Sequence, residues 1–377
     1  MKLMKTLIAT AAVLAAAPAL ADVNIGVTLS LTGPASGLGI PVGNQFKLFP
    51  KEIAGEKINL IVLDDASDPG KGVANARRFV TEDKVDILFG GSITVVSAAV
   101  APVALESKTP QLSIAPVGVP PDQERWVYRL PQGANVMAYP IIEHMKKNGV
   151  KTVGFLGYSD AYGELWLKQI SKDLEPAGLK LVATERFART DTSVTPQALK
   201  LVSANPDAIL VVASGSGAAM PHKGLIERGY KGKVYQTHAA ATPDLVRIGG
   251  KDVEGGYVVS GPAVVAEQLP DAHPSKARAM DFVAKFEAAN GAGSRNQFAA
   301  HAYDAQIVME KVLPVALKKG KPGTPEFRAA LRDAIEGMGR TIFAHGVMNW
   351  NATDHWGYTN ETGVLLKVSG GKFVVEQ

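Results

Sequence analysis

Short apolar runs rich in valine and isoleucine alternate with longer amphipathic stretches along most of the chain. The runs Asp22–Leu29, Ile58–Leu63, Asp86–Phe89 and Pro110–Ala115 predict buried strands, because a strand covered on both faces keeps few polar positions. Between them, residues 38–54, 70–83 and 92–106 have helical spacing; Val73, Ala76, Arg77 and Val80 recur at three- and four-residue steps. This strand–helix order predicts a parallel sheet with helices on both faces. The alternation then repeats. Thr152–Leu156, Leu179–Ala183, Ala208–Val212 and Lys233–Gln236 are strand-like, and 135–149, 160–175, 194–204 and 216–228 are helix-like. Two similar α/β domains are expected. After residue 262 come three helical stretches near 274–289, 296–318 and 324–337, then a strand-like, turn-rich tail over 342–377. Strands that come after a block of helices imply that the chain crosses between domains more than once. No Pro/Gly/Ser tether is present, which favours several short crossovers.

Composition narrows the function. With 377 residues, 46% hydrophobic and 20% charged, the chain is neither disordered nor fibrous. It exceeds the roughly 250–300 residues at which one core stops growing. Forty basic residues against 36 acidic ones argue against a nucleic-acid or membrane-surface partner. There is no cysteine, so disulfides, thiolate metal sites, cysteine catalysis and a lipoprotein anchor are excluded. Residues 1–21 combine Lys2 and Lys5, an apolar centre from Leu7 to Leu14, and Ala19-Leu-Ala21 before Asp22. They read as a cleaved signal peptide, since the apolar run is shorter than the roughly 20 residues of a membrane span. A periplasmic location is expected.

Several segments invite chemistry and most resolve into structure. Asp64, Asp65 and Asp68 lack the alternating ligands and later glutamate of a calcium loop; Asp68 followed by Pro69 predicts a capped helix start. Gly37-Leu-Gly39-Ile-Pro-Val-Gly43 is one residue too long for a dinucleotide fingerprint and contains Pro41. In Ser214-Gly-Ser216-Gly217 a serine stands where a nucleophile elbow needs its first glycine, and no nucleophile–base pair supports an enzyme. The histidines (His144, His222, His238, His273, His301, His345 and His355) show no metal-ligand spacing, so neither metal nor cofactor is expected. Asn351-Ala-Thr353 fits a glycosylation acceptor but reads as a turn in a bacterial export context. Two features point to a binding site. His238 lies just past a strand, at the carboxyl end of a parallel sheet, where α/β folds hold ligands. Gly90-Gly-Ser92-Ile-Thr94 ends a buried strand with glycines and opens a helix with hydroxyls, a setting for a carboxylate.

The chain resembles the substrate-binding proteins of bacterial ABC importers of the branched-chain amino acid type, the leucine/isoleucine/valine-binding family. The resemblance runs through Ser30-Leu-Thr-Gly33-Pro34, Asp64 to Pro69, Gly90 to Thr94 and Pro110 to Pro116, and on to Tyr162-Gly163 and Glu254-Gly255. It implies two Rossmann-like domains with parallel sheets, joined by three crossovers, with the ligand between them. One lobe would be 22–137 plus 262–341, the other 138–261 plus 342–377. In amino-acid-binding members a hydroxyl residue and groups after the next strand hold the α-carboxylate; these positions fall on Thr94, Ala115 and Val117, with Ser92 in the same turn. The family's glutamate and tyrosine for the α-ammonium align with His238 and Ser214, and Leu38 replaces a tyrosine over the cleft. Tyr162 matches a tyrosine that closes on the ligand. A buried ammonium without a carboxylate partner costs several kcal/mol. The expected ligand therefore keeps a carboxylate and lacks the amino group: an aromatic acid of benzoate or hydroxybenzoate type, or a branched or keto acid. An amino acid or amide held by a rearranged site is the alternative, and a ligand-sensing subunit of a membrane receptor is the reading from another class. The resemblance further implies hinge closure, an inner-membrane ABC permease as partner, a monomer and no catalysis.

Overall fold

Val23–Leu29 is the strand around which the first lobe is built. Its residues Val23, Ile25, Val27 and Leu29 are fully buried, and it pairs in parallel register with both neighbours, Val23 with Ile58 on one side and Ile25 with Ile87 on the other. In the computed structural model, which describes residues 22–376, this lobe has a six-stranded sheet. Its order is Glu52–Ile53, Glu56–Asp64, Val23–Leu29, Ile87–Gly90, Gln111–Ser113 and Val127–Arg129, parallel except for the short first edge. The signal peptide expected at 1–21 lies outside the described residues. Helices Ser36–Phe46, Pro69–Thr81 and Thr94–Ser107 follow their strands in the expected order, although the first ends eight residues before the expected 54 and Glu52–Ile53 pairs as the edge strand instead. Asp68 caps the second of these by accepting the Lys71 N–H at 2.7 Å, with Pro69 in the first turn. The neighbouring Asp64 and Asp65 are spent on turns: Asp64 accepts from Leu31, Thr32 and Ala66 N–H groups, and Asp65 from the Ser30 hydroxyl at 2.7 Å and Ser67 N–H.

The second lobe has a seven-stranded sheet in the order Lys372–Val375, Val364–Ser369, Tyr257–Ser260, Lys233–Gln236, Ala208–Val212, Thr152–Tyr158 and Lys180–Phe187. The last five are parallel, and the two tail strands add antiparallel. Helix Ala161–Leu174 starts hard against the strand before it. A Cβ on Gly163 would lie 1.7 Å from the Tyr158 carbonyl oxygen, so only glycine permits this approach. The helix buries Tyr162, Trp166, Ile170 and Leu174 on one face.

The chain crosses between lobes three times. Helix Ala134–Lys147 already belongs to the second lobe, where His144 Nδ1 sits 2.8 Å from the Tyr235 hydroxyl and its ring 4.5 Å from that of Tyr257. The first crossing therefore falls at about 130–133, slightly before the expected 137. The second falls at Ser260–Pro262. The third comes later than the expected 341. Residues 341–348 form a hairpin of their own (Thr341–Phe343 with Gly346–Met348), and the hairpin and residues 349–356 still pack on the first lobe. Trp350 meets Tyr128 at 5.6 Å, Asp304 accepts the Ala344 N–H, and His355 Nδ1 reaches the Glu124 carbonyl. The strand-like composition of 342–356 was a poor guide to lobe because this hairpin joins neither large sheet. Asn351 Oδ1 accepts from the Thr353 and Asp354 N–H groups, the turn expected there. Buried polar groups tie the crossings together. Gln297 Oε1 accepts from the Ser260 hydroxyl and the Gly261 N–H, its Nε2 donates to Gln132 Oε1 at 3.0 Å, and Gln132 Nε2 donates to the His345 carbonyl.

Candidate functional site

Because the central strands of both sheets are parallel, their carboxyl ends and the helix starts that come after them face the space between the lobes. On the first lobe, Gly90 (φ +110°) turns the chain out of its strand where a Cβ would lie 2.0 Å from the Thr28 carbonyl oxygen. Ser92 Oγ accepts the Ser30 N–H at 3.1 Å and so fastens this turn to the central strand. Thr94 opens the helix, and its hydroxyl donates to the Pro116 carbonyl at 2.9 Å. That proton is committed, and the Val96 and Ser97 N–H groups donate to the Ile93 carbonyl, so the donors left for an anion are the Thr94 and Val95 N–H groups of the helix start. Ile114, Ala115, Pro116 and Pro131 continue this wall, with Leu38 above it.

The facing wall comes from Tyr162, Arg189, Ser214, His238 and Ala239 of the second lobe. Phe298 and His301, on helix Gln297–Ala316, complete the lining of a narrow cleft. The lobes touch across it: a Cβ on Gly215 would meet Leu38 Cδ1 at 3.0 Å. Seven of the eight residues expected from sequence thus converge, namely Leu38, Ser92, Thr94, Ala115, Tyr162, Ser214 and His238. Val117 does not. Its side chain is buried with Ala101 and Val127 behind the cleft, and its carbonyl accepts from Arg129 Nε at 2.8 Å.

Arg189 is the charged lining residue that the sequence reading missed, along with Phe298 and His301. Its guanidinium lies 4.1 Å from the Tyr158 ring centroid, Nε donates to Asp160 Oδ2 at 2.5 Å, and Nη1 donates to Ser214 Oγ at 2.9 Å. Asp160 also caps helix Ala161–Leu174 through the Tyr162 and Gly163 N–H groups. Arg189 follows the carboxyl end of strand Lys180–Phe187, and that position was the available signal. It is the one cation among the lining residues, and no lining residue is a carboxylate.

The histidines of the cleft are uncharged. His238 is fully buried, and burial first, then the nearby His345, pushes its pKa down to about 3. His301 is held well below its ordinary value and His345 is pushed down to about 4, both chiefly by burial. All three are neutral at neutral pH. Tyr162 makes a 2.7 Å hydrogen bond to Thr237 Oγ1, and burial raises its phenol pKa. Tyr162, Phe298 and the two imidazoles leave this part of the cleft walled by flat rings. Among the described residues no group of three or more histidine, aspartate or glutamate side chains could hold a metal ion, and no helix is long and apolar enough to cross a membrane.

Comparison with known proteins agrees with this architecture. Residues 22–371 match the model of a family described as periplasmic binding protein. A Leu/Ile/Val-binding protein of Rhizobium johnstonii is 27% identical, covering 99% of this chain and 100% of its own. The crystal structure of an extracellular ligand-binding receptor from Rhodopseudomonas palustris HaA2 superposes with a TM-score of 0.93 at 47% identity, covering 95% of this chain and 100% of that one. A solute-binding protein of an R. palustris ABC transporter, solved in complex with benzoate, shares the fold at a TM-score of 0.77 and 18% identity, covering 94% of this chain and 95% of that one. The chain belongs to the type I periplasmic binding proteins of the branched-chain amino acid family.

Proposed function

We propose that this periplasmic binding protein captures a small carboxylate without an α-ammonium group, an aromatic acid of benzoate or hydroxybenzoate type, and passes it as a monomer to an inner-membrane ABC permease. The observation that carries the reading is the polar lining of the cleft: Arg189, paired through Nε with Asp160 behind the wall, and a helix N-terminus supply donors, and no carboxylate is among the lining residues. An ammonium buried there would meet no opposite charge, whereas a carboxylate meets donors from both lobes. The ring-lined end formed by Tyr162, Phe298, His238 and His301 suits an aromatic body. A fold relative whose structure holds benzoate supports the same choice. Closure results from contact with both walls, since a ligand that bridges them favours the closed arrangement.

The test is a thermal-shift screen of ligand-stripped protein against benzoate, the hydroxybenzoates, branched keto acids and leucine, isoleucine and valine. A ligand at 100 times its dissociation constant adds about 2.7 kcal/mol. Shifts with the non-amino acids alone support the proposal. A shift with leucine, isoleucine or valine would return the protein to the specificity named for its Rhizobium relative.

A further inference from the structure

His238 and His301 come from opposite lobes and line the same end of the cleft. His238 sits in the short turn after strand Lys233–Gln236, and His301 lies on helix Gln297–Ala316. The Nδ1 atom of each is buried with no hydrogen-bond partner among the described residues. Both rings are held by their surroundings. His238 meets Tyr162 edge-on at 6.5 Å and Trp166 at 6.0 Å, and His301 packs on His345 at 4.4 Å. His345 is itself fixed, its Nε2 2.7 Å from the Gln297 carbonyl, within the polar cluster that ties the crossings.

From this geometry we propose that His238 and His301 form a clamp, one jaw per lobe, that reads a hydroxyl group on the ligand at the end remote from its carboxylate. This rests on the aromatic-acid reading above and deepens it. A neutral imidazole presents one N–H donor and one lone-pair acceptor, according to tautomer. A hydroxyl both donates and accepts, so it is the smallest group that can serve a donor on one ring and an acceptor on the other. A second carboxylate only accepts. An ammonium only donates, and it would place a charge between neutral rings. A ligand with bare C–H at this end leaves both jaws unsatisfied, which buried polar groups tolerate poorly. Because the jaws belong to different lobes, the hydroxyl contributes to closure as well as to affinity, and the His301–His345 contact connects it to the crossings.

The test is calorimetric titration of the purified protein with benzoate and with each hydroxybenzoate isomer beside the fluorobenzoate of the same substitution, which keeps the shape and removes the donor. The expected result is one isomer for which hydroxyl exceeds fluorine by about 10-fold or more in affinity. His238→Phe and His301→Phe should each shrink that ratio toward one. Equal affinities for hydroxyl and fluorine in all three isomers would overturn the clamp, as would a ratio that survives both substitutions. These outcomes leave carboxylate capture standing. Failure of the wild-type protein to bind any benzoate overturns the aromatic-acid reading and the clamp together. The wild-type ratio needs no variant, so it decides the matter even if a substituted chain does not fold.

Discussion

Removing the guanidinium of Arg189 while keeping its bulk should weaken carboxylate binding far more than it weakens the fold. Arg189→Met keeps an apolar stem of similar bulk but loses the guanidinium over Tyr158 and the donors at Asp160 and Ser214. Asp160 keeps the Tyr162 and Gly163 N–H groups at 2.9 and 3.2 Å, so its carboxylate is not stranded. The Arg189 and Asp160 side chains are 14% and 22% exposed, and loss of a partly solvated pair of this kind should cost about 1 kcal/mol of stability. For the ligand, one charge-assisted hydrogen bond to a carboxylate is worth roughly 1.5–3 kcal/mol, or about 10- to 150-fold in dissociation constant. Titration calorimetry with benzoate measures the second quantity and urea unfolding of the ligand-free protein the first. An affinity within twofold of wild type, together with lowered stability, would show that Arg189 is a strut for Ser214 and Asp160 and would refute the charge argument.

Other consequences can be checked separately. Burial depresses the folded-state pKa of His222 and His345 to about 4 and that of His238 to about 3, and it holds His301 well below its ordinary value. The stability that these neutral rings contribute is present in full above the unfolded value of about 6.5 and is lost as pH falls toward the folded values, at about 1.4 kcal/mol per pH unit for each ring. Acid unfolding should therefore steepen below about pH 6.5, and His222→Gln, away from the cleft, should reduce the slope by about one proton. Asp86 has the opposite sign. Burial raises its pKa to about 6 despite the Gly323 and Asn24 N–H groups, so its contribution is full below about 3.8 and is lost as pH rises through about 6. Urea midpoints of Asp86→Asn should lack that part of the decline. Gly163→Ala drives a Cβ to 1.7 Å from the Tyr158 carbonyl and should cost about 1–3 kcal/mol or more, measured by thermal unfolding. Gln297→Leu strands Gln132 Oε1 and the Gly261 N–H, while the Ser260 hydroxyl keeps the Gly261 carbonyl, and should destabilise by about 2–4 kcal/mol in urea titration.

The strands and helices that build the two lobes were legible because each element carries its own pattern. Val23–Leu29 and Ala208–Val212 are continuous apolar runs because both faces are covered, and helix Pro69–Thr81 announces itself through Asp68 and Pro69. Val127–Arg129 was not legible: three residues give no period, and its buried Arg129 reads as polar until its bonds to Glu124 and the Val117 and Val127 carbonyls are seen. The lobe of residues 342–356 depends on where Trp350 and His355 dock, which no local pattern records. At the site, Gly90 to Thr94 was readable from glycine and hydroxyl chemistry and His238 from its place past the carboxyl end of a strand, whereas Leu38, Tyr162 and Ser214 came through family resemblance. Val117 failed because alignment gives position and not side-chain direction. His301 stayed hidden on a helix so enclosed by neighbours that no polar face marks one residue as special.

The central claim, that the cleft receives a carboxylate and rejects an α-ammonium, is tested most directly by titrating ligand-stripped protein with leucine and with 4-methyl-2-oxopentanoate, which share a carbon skeleton and differ at the α-position, beside benzoate. The charge of the cleft predicts that both non-amino acids bind more tightly than leucine, by about 100-fold or more for an ammonium left unpaired. Leucine binding as tight as its oxo acid, or tighter, would contradict the account and mean that the walls lined by Ser214 and His238 accommodate an ammonium after all.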